Sequence, residues 1–159
     1  MADRIRVVIA DDQPLVRSAL RLILEGDPEL TVLGEAADGQ GALDAARRLR
    51  PDIILLDLHM PGRDGVWASE RISELAPDVK VLVLTAFDTD RLVASALRAG
   101  AVGFLLKDSS PEQILEAVRT AADGERPFSA AVLEQLVTTT AMKAPSRRTP
   151  GTLTARERE

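Results

Sequence analysis

The sequence predicts an α/β domain, a parallel sheet of five strands with helices covering both faces. Three observations predict it. Over the first 125 or so residues, short runs rich in β-branched residues and leucine alternate with longer stretches of helical spacing. Such alternation indicates βα units wound around a parallel sheet. Two of the short runs are apolar at every position rather than every second one, as in strands buried on both faces. Turn and cap residues then fall at the junctions between the two textures.

Taken in order, the first strand is Ile5–Ala10. Pro14–Glu25 follows, with Val16, Ala19, Leu20 and Ile23 at i, i+3, i+4 and i+7, one face of a helix. Thr31–Glu35 is the second strand. Pro51-Asp52 punctuates the chain before the third, Ile53–Leu58, whose core Ile53-Ile54-Leu55-Leu56 is continuously apolar. Pro77-Asp78 does the same ahead of the fourth, Val79–Leu84, with Val81-Leu82-Val83-Leu84. Gly100 ends the fourth helix and Val102–Leu106 is the fifth strand. Ser110-Pro111 opens the fifth helix, on which Ile114, Val118 and Ala121 share a face.

After Gly124 the texture changes. Ser129–Met142 reads as one more helix, with Leu133, Leu136 and Val137 as its apolar face. Lys143–Gly151 reads as a flexible linker. Leu153–Glu159 then starts something helical, which we expect to be the beginning of a second domain. The expected organisation is therefore a domain over 1–125, a helix and linker over 126–152, and a fragment over 153–159.

Composition narrows the function. The chain has 159 residues, 45% of them hydrophobic but only 3% aromatic, so its core is built from Leu, Val, Ile and Ala. A formal charge of −5 argues against general binding to nucleic acid or membrane surfaces. There are no cysteines and one histidine, His59, which excludes disulfides, thiolate chemistry and multi-histidine metal sites. No apolar run approaches the roughly 20 residues that span a bilayer. The opening residues are too short in apolar length for a secretory signal. A cytoplasmic location without membrane attachment is the default expectation.

In an open parallel sheet, ligands gather beyond the carboxyl ends of the strands. Those ends carry Asp11-Asp12, Asp57, Thr85-Ala86 and Lys107. Two carboxylates about 5 Å apart repel by roughly 3 kcal/mol at an effective dielectric near 20. Lys107 supplies one compensating charge and a divalent cation would supply two more. With oxygen donors only, the expected ion is Mg²⁺ or Mn²⁺, keeping waters that a phosphoryl oxygen can replace. A carboxylate can attack phosphorus to form an aspartyl phosphate, provided the transferring group's oxygens are neutralised. The cation, Lys107 and the Thr85 hydroxyl make one partner for each.

The set Asp11-Asp12, Asp57 with Met60-Pro61-Gly62-Arg63-Asp64-Gly65, Thr85-Ala86 and Lys107 resembles the CheY-like receiver domains of bacterial response regulators. The resemblance covers about residues 4–124. It implies a flavodoxin-like (βα)5 sandwich with strand order 2-1-3-4-5, and Asp57 as the residue phosphorylated by a sensor histidine kinase. It further implies Mg²⁺ held by Asp12, Asp57 and the His59 backbone carbonyl, with Asp11 acting through water. Thr85, Ala86 and Lys107 would bind the phosphoryl group. Thr85 and Phe104 would form the switch pair, changing the face made by the fourth helix, fifth strand and fifth helix. The protein would catalyse only its own phosphorylation and dephosphorylation.

Leu153-Thr154-Ala155-Arg156-Glu157-Arg158-Glu159 resembles the opening of a LuxR-type helix-turn-helix. Leu105-Leu106-Lys107-Asp108 with Pro111-Glu112 resembles receivers of the NarL/FixJ-like group of transcriptional regulators. That implies output through a DNA-binding domain continuing past Glu159, with a homodimer as the expected assembly. In many receivers a cis-proline follows the lysine, whereas Asp108 does so here. A cis bond before a non-proline costs about 2.5–4 kcal/mol, which leaves that peptide's conformation open.

Blander readings stand beside these. Phe104 can be ordinary core, and Trp67 is expected to be packing. The His59 ring is expected at the rim rather than on a metal, and Arg147-Arg148 in solvated linker. An aspartate-nucleophile phosphohydrolase would want an Asp-x-Asp pair, where Asp57-Leu58-His59 lacks the second acid. A phosphorylation-independent scaffold would not need the complete acidic set. Finally, His59 and Phe87, each two residues past Asp57 and Thr85, should flank the path of water to an aspartyl phosphate and slow its hydrolysis.

Overall fold

In the computed structural model, which describes residues 4–86 and 91–124, five βα units follow one another. They are β1 (Ile5–Ala10), α1 (Pro14–Glu25), β2 (Leu30–Ala36), α2 (Gly39–Leu49) and β3 (Ile53–Asp57). Then come α3 (Gly65–Leu75), β4 (Lys80–Thr85), α4 (Arg91–Arg98), β5 (Gly103–Leu106) and α5 (Pro111–Ala122). All strands are parallel, in the order β2-β1-β3-β4-β5. This is the doubly wound, flavodoxin-like arrangement expected from the sequence.

Side chains alternate between the two faces of a strand. Val7, Ile9, Ile53, Leu55, Leu82, Leu84 and Leu105 belong to one cluster with Leu20 and Leu24 of α1 and Ile114 and Val118 of α5. The residues between them, Val8, Ala10, Ile54, Leu56, Val81, Val83 and Phe104, are buried too. They occupy the opposite face, where α2 and α3, and α3 and α4, contact one another. Burial on both faces explains the continuous apolar runs. Each fully buried Leu or Ile contributes about 1.5–3 kcal/mol.

Local signals set the helix starts. Asp38 and Asp64 accept from the N–H groups of Gly41 (2.7 Å) and Trp67 (2.9 Å) to cap α2 and α3. At α5, Ser110 Oγ accepts from Gln113 N–H (3.1 Å) while Gln113 Oε1 accepts from Ser110 N–H (2.9 Å). Strand bounds differ slightly from expectation. β2 runs one residue further at each end, β3 stops at Asp57, and β4 starts and ends one residue later. The expected helix Ser129–Met142, the linker and residues 153–159 lie outside the described residues. Among the described residues no helix is long and apolar enough to cross a membrane.

The loop 58–64 after β3 is pinned by two glycines. Gly65 N–H donates to Leu58 O at 3.0 Å and Gly39 N–H to Arg63 O at 2.9 Å. A Cβ on Gly65 would lie 2.5 Å from the Asp57 carbonyl oxygen, and one on Gly39 would overlap the Arg63 carbonyl. Only a residue without a side chain lets these helices start so close to the loop.

Candidate functional site

Asp11, Asp57 and Lys107 each lie two residues beyond a core position of the α1/α5 face, namely Ile9, Leu55 and Leu105. Period-two alternation therefore sends all three side chains to one side of the sheet's carboxyl edge. There Lys107 Nζ sits 3.1 Å from Asp11 Oδ2 and 3.2 Å from Asp57 Oδ2. Both carboxylates are buried, and Asp12 beside them is exposed. One oxygen from each of Asp11, Asp12 and Asp57 falls within a span of 4.8 Å.

Backbone donors fix two of these carboxylates. Asp57 Oδ1 accepts from the His59 N–H at 3.2 Å, and Asp11 Oδ1 from the Gln13 N–H at 2.9 Å. Asp11 Oδ2 is buried without a hydrogen bond of good geometry and meets Lys107 as an ion pair only. Burial, with the Asp11 charge beside it, raises the Asp57 carboxyl above its ordinary pKa, against the opposing pull of Lys107 and the His59 N–H. Burial also works against the Lys107 ammonium, but Asp11 and Asp57 outweigh it and hold the proton above the usual lysine range.

Three carboxylates against one ammonium leave negative charge uncompensated, and all the donors are oxygens. These residues fit a hard divalent cation. Asp11, Asp12 and Asp57 are the side chains that would hold it.

Thr85 is fully buried at the end of β4, and its carbonyl accepts from Lys107 N–H at 2.8 Å. In the β4–β5 register Val83 faces Phe104 and Thr85 faces Leu106, so Thr85 and Phe104 share a sheet face two positions apart. Phe104 is buried, whereas Ala86 and His59 are exposed. Trp67 is half-buried on α3 with the Arg63 guanidinium 4.8 Å from its ring centre. The Lys107–Asp108 peptide is trans, since no peptide bond among the described residues is cis. Phe87 lies outside the described residues.

One contributor has no signature in the sequence pattern. Arg17 Nη1 donates to the Asp11 carbonyl at 2.6 Å while its Nε donates to Glu35 Oε1 at 3.0 Å. Arg21 Nε donates to the other oxygen of Glu35 at 2.7 Å. Arg21, and less strongly Arg17, hold the Glu35 carboxyl below its ordinary pKa.

A family model described as the response regulator receiver domain matches residues 7–119. The chain belongs to this family. The receiver is 43% identical over 138 residues to the uncharacterized transcriptional regulatory protein YxjL of Bacillus subtilis, a match covering 87% of this chain and 63% of YxjL. It is 36% identical over 154 residues to the nitrate/nitrite response regulator protein NarL of Escherichia coli K12, covering 96% of this chain and 71% of NarL. A solved receiver domain of the response regulator NarL from Mycobacterium tuberculosis superposes with a TM-score of 0.75 at 39% identity. That match covers 78% of this chain and all of the other. The expected NarL-like receiver is thus met at the level of family and fold. The chain spans less than two thirds of YxjL, so what a whole regulator does is a separate question.

Proposed function

We propose that this receiver takes a phosphoryl group onto Asp57 from a partner histidine kinase, with a divalent cation, and passes the signal to transcription. The observation that carries the proposal is Lys107, bridging the buried carboxylates of Asp11 and Asp57 at 3.1 and 3.2 Å, with Asp12 within reach of the same point. In the transfer an Asp57 carboxylate oxygen forms the new O–P bond as the N–P bond of a phosphohistidine breaks, and the histidine nitrogen keeps the electron pair. Lys107 offsets charge on one phosphoryl oxygen, the Thr85 hydroxyl donates to a second, and Ala86 lies beside it. A bound Mg²⁺ or Mn²⁺ would add two positive charges for the third. Asp12, Asp57 and the His59 carbonyl would hold it, with Asp11 acting through water.

Thr85 and Phe104, on one face of the sheet, act as the switch pair that alters the surface of α4, β5 and α5. Output runs through a homodimer and a DNA-binding domain of the LuxR type, to which Leu153–Glu159 contribute. The sequence of those residues and the regulatory names of the relatives support this reading. It operates in the cytoplasm as a signalling domain that turns over only its own phosphate. Hydrolysis of the aspartyl phosphate is slow because His59 and Phe87 shield phosphorus, so Phe87→Ala or Phe87→Glu speeds the decay several-fold. An unchanged decay in both variants removes the shielding idea.

The test of the main proposal is a mass measurement after incubation with acetyl phosphate and Mg²⁺. The unmodified chain gains one PO₃ group and Asp57→Asn gains none. An equal gain in both proteins overturns the assignment of Asp57.

A further inference from the structure

Resting on the cation-dependent reading above, we infer that Arg17, braced by Glu35, is a positioning residue of the cation site. It fixes the Asp11–Asp12 peptide and so aims the Asp12 carboxylate. Asp12 is exposed, and among the described residues no hydrogen bond reaches its carboxylate. Of the protein's own groups, its backbone is then what sets where the Cα–Cβ bond starts and points. That backbone lies past the end of β1, where the sheet no longer supplies partners beyond one bond from Asp11 N–H to Ala36 O at 3.0 Å. The next group along, the Asp11 carbonyl, is held by Arg17 Nη1 at 2.6 Å.

Arg17 is well placed for this and for little else. Its side chain is only 19% exposed and reaches back from the first turn of α1. That turn has no side-chain cap of its own, with Gln13 at the N-cap position making none. Glu35, at the carboxyl end of β2 and paired in register with Ile9, receives Arg17 at 3.0 Å and Arg21 at 2.7 Å. The guanidinium is thus locked between β2 and the Asp11–Asp12 turn. Glu35 also offsets a positive charge that would otherwise oppose a cation in the notch. A planar guanidinium holds two acceptors in fixed directions, which an ammonium does not.

The test is calorimetric titration of the folded protein with Mg²⁺, well below its melting temperature, with melting curves recorded alongside. Groups that orient metal ligands typically change affinity by 10-fold or more, so Arg17→Gln should weaken Mg²⁺ binding on the order of 10-fold. Arg17→Lys, which keeps charge without the fork, should weaken it less and guards against a glutamine variant that fails to fold. Arg21→Gln is the control for simple destabilisation, because Arg21 shares Glu35 but makes no bond to Asp11. It should leave the Mg²⁺ affinity within about twofold while lowering the melting temperature. Unchanged affinity in both Arg17 variants, with binding still lost in Asp12→Asn, overturns the positioning role and leaves the cation site standing. An unmodified protein that binds no Mg²⁺ overturns both.

Discussion

The two edges of the sheet treat charge in opposite ways. At the amino edge, the Arg6 N–H and side chain both meet Asp52, at 2.8 and 3.7 Å, while Arg6 Nη2 donates to the Arg50 carbonyl at 2.5 Å. The Arg6–Asp52 pair there is one cation against one carboxylate, and both side chains stay in contact with water. At the carboxyl edge two buried carboxylates share one lysine, with a third beside them. A cleft of about 870 Å³ opens at the amino edge, lined by Arg6, Asp52, Asp78 and neighbours. A hollow alone therefore does not mark the site. Unbalanced, desolvated charge does, because holding it costs stability that only a ligand can return.

The largest expected effects separate the edges by activity. Lys107→Ala removes the preorganised cation from the place proposed for the phosphoryl group, and should slow phosphorylation by acetyl phosphate on the order of 100-fold. Arg6→Ala removes a cation of the same size at the other edge and should leave the rate unchanged. Equal losses in the two variants would mean that general electrostatics, not the notch, governs transfer.

Steric fit should separate the edges next. Gly65→Ala puts a methyl 2.5 Å from the Asp57 carbonyl oxygen and 2.7 Å from Leu58 Cα, backbone that cannot move without displacing the acidic residue. Overpacking of this kind costs about 1–3 kcal/mol. Chemical denaturation should show that loss together with slower phosphorylation. A variant of normal stability would show that the loop has slack the contacts deny.

Asp57→Asn and Asp52→Asn should then change stability in opposite directions. Folding raises the Asp57 pKa, through burial first and Asp11 second. A carboxyl raised in this way stabilises the fold while protonated, fully so below its unfolded value near about 3.9. That contribution is lost as pH rises through the higher folded value. Without divalent cations, Asp57→Asn should therefore be more stable than the unmodified chain at neutral pH, by on the order of 1–2 kcal/mol. The difference should shrink as pH falls toward 4, and added Mg²⁺ should narrow it too. Asp52→Asn touches a half-exposed pair and should lower stability by no more than about 1 kcal/mol. Melting curves at several pH values decide it; a gap that does not vary with pH would sink the burial argument.

How much of this was legible beforehand follows the same division. Ile9, Leu55 and Leu105 alternate with Asp11, Asp57 and Lys107 along the chain, so the convergence of the three charges was written in local periodicity. The strand order came through resemblance, and the structure reproduces it. Arg17 escaped notice because its meaning depends on Glu35, 18 positions away on another strand, and on a carbonyl that every residue has. The packing roles of Gly39 and Gly65 were hidden for a related reason. A sequence shows that a glycine is present but not which backbone it lets approach. The conformation after Lys107 was equally hidden, since an aspartate there permits more than one route and only the fold selects the trans peptide.

The smallest expected effect concerns the amino edge alone. Arg50 ends α2 in the left-handed region, at φ 48°, the only non-glycine residue with positive φ among those described. For an L residue with a β-carbon this conformation costs roughly 1 kcal/mol, and glycine adopts it without that strain. Among the described residues no hydrogen bond or ion pair reaches the Arg50 side chain, whereas its carbonyl accepts from Arg6 and would still do so in a variant. Arg50→Gly should therefore raise stability by roughly 0.5–1 kcal/mol, less whatever the glycine adds to the entropy of the unfolded chain. Phosphorylation kinetics should stay as they are, since the change is at the far end of the strands. A stabilised protein with an altered rate would show that the two edges are coupled through the sheet, and the contrast between them would have to be redrawn as a single mechanical unit.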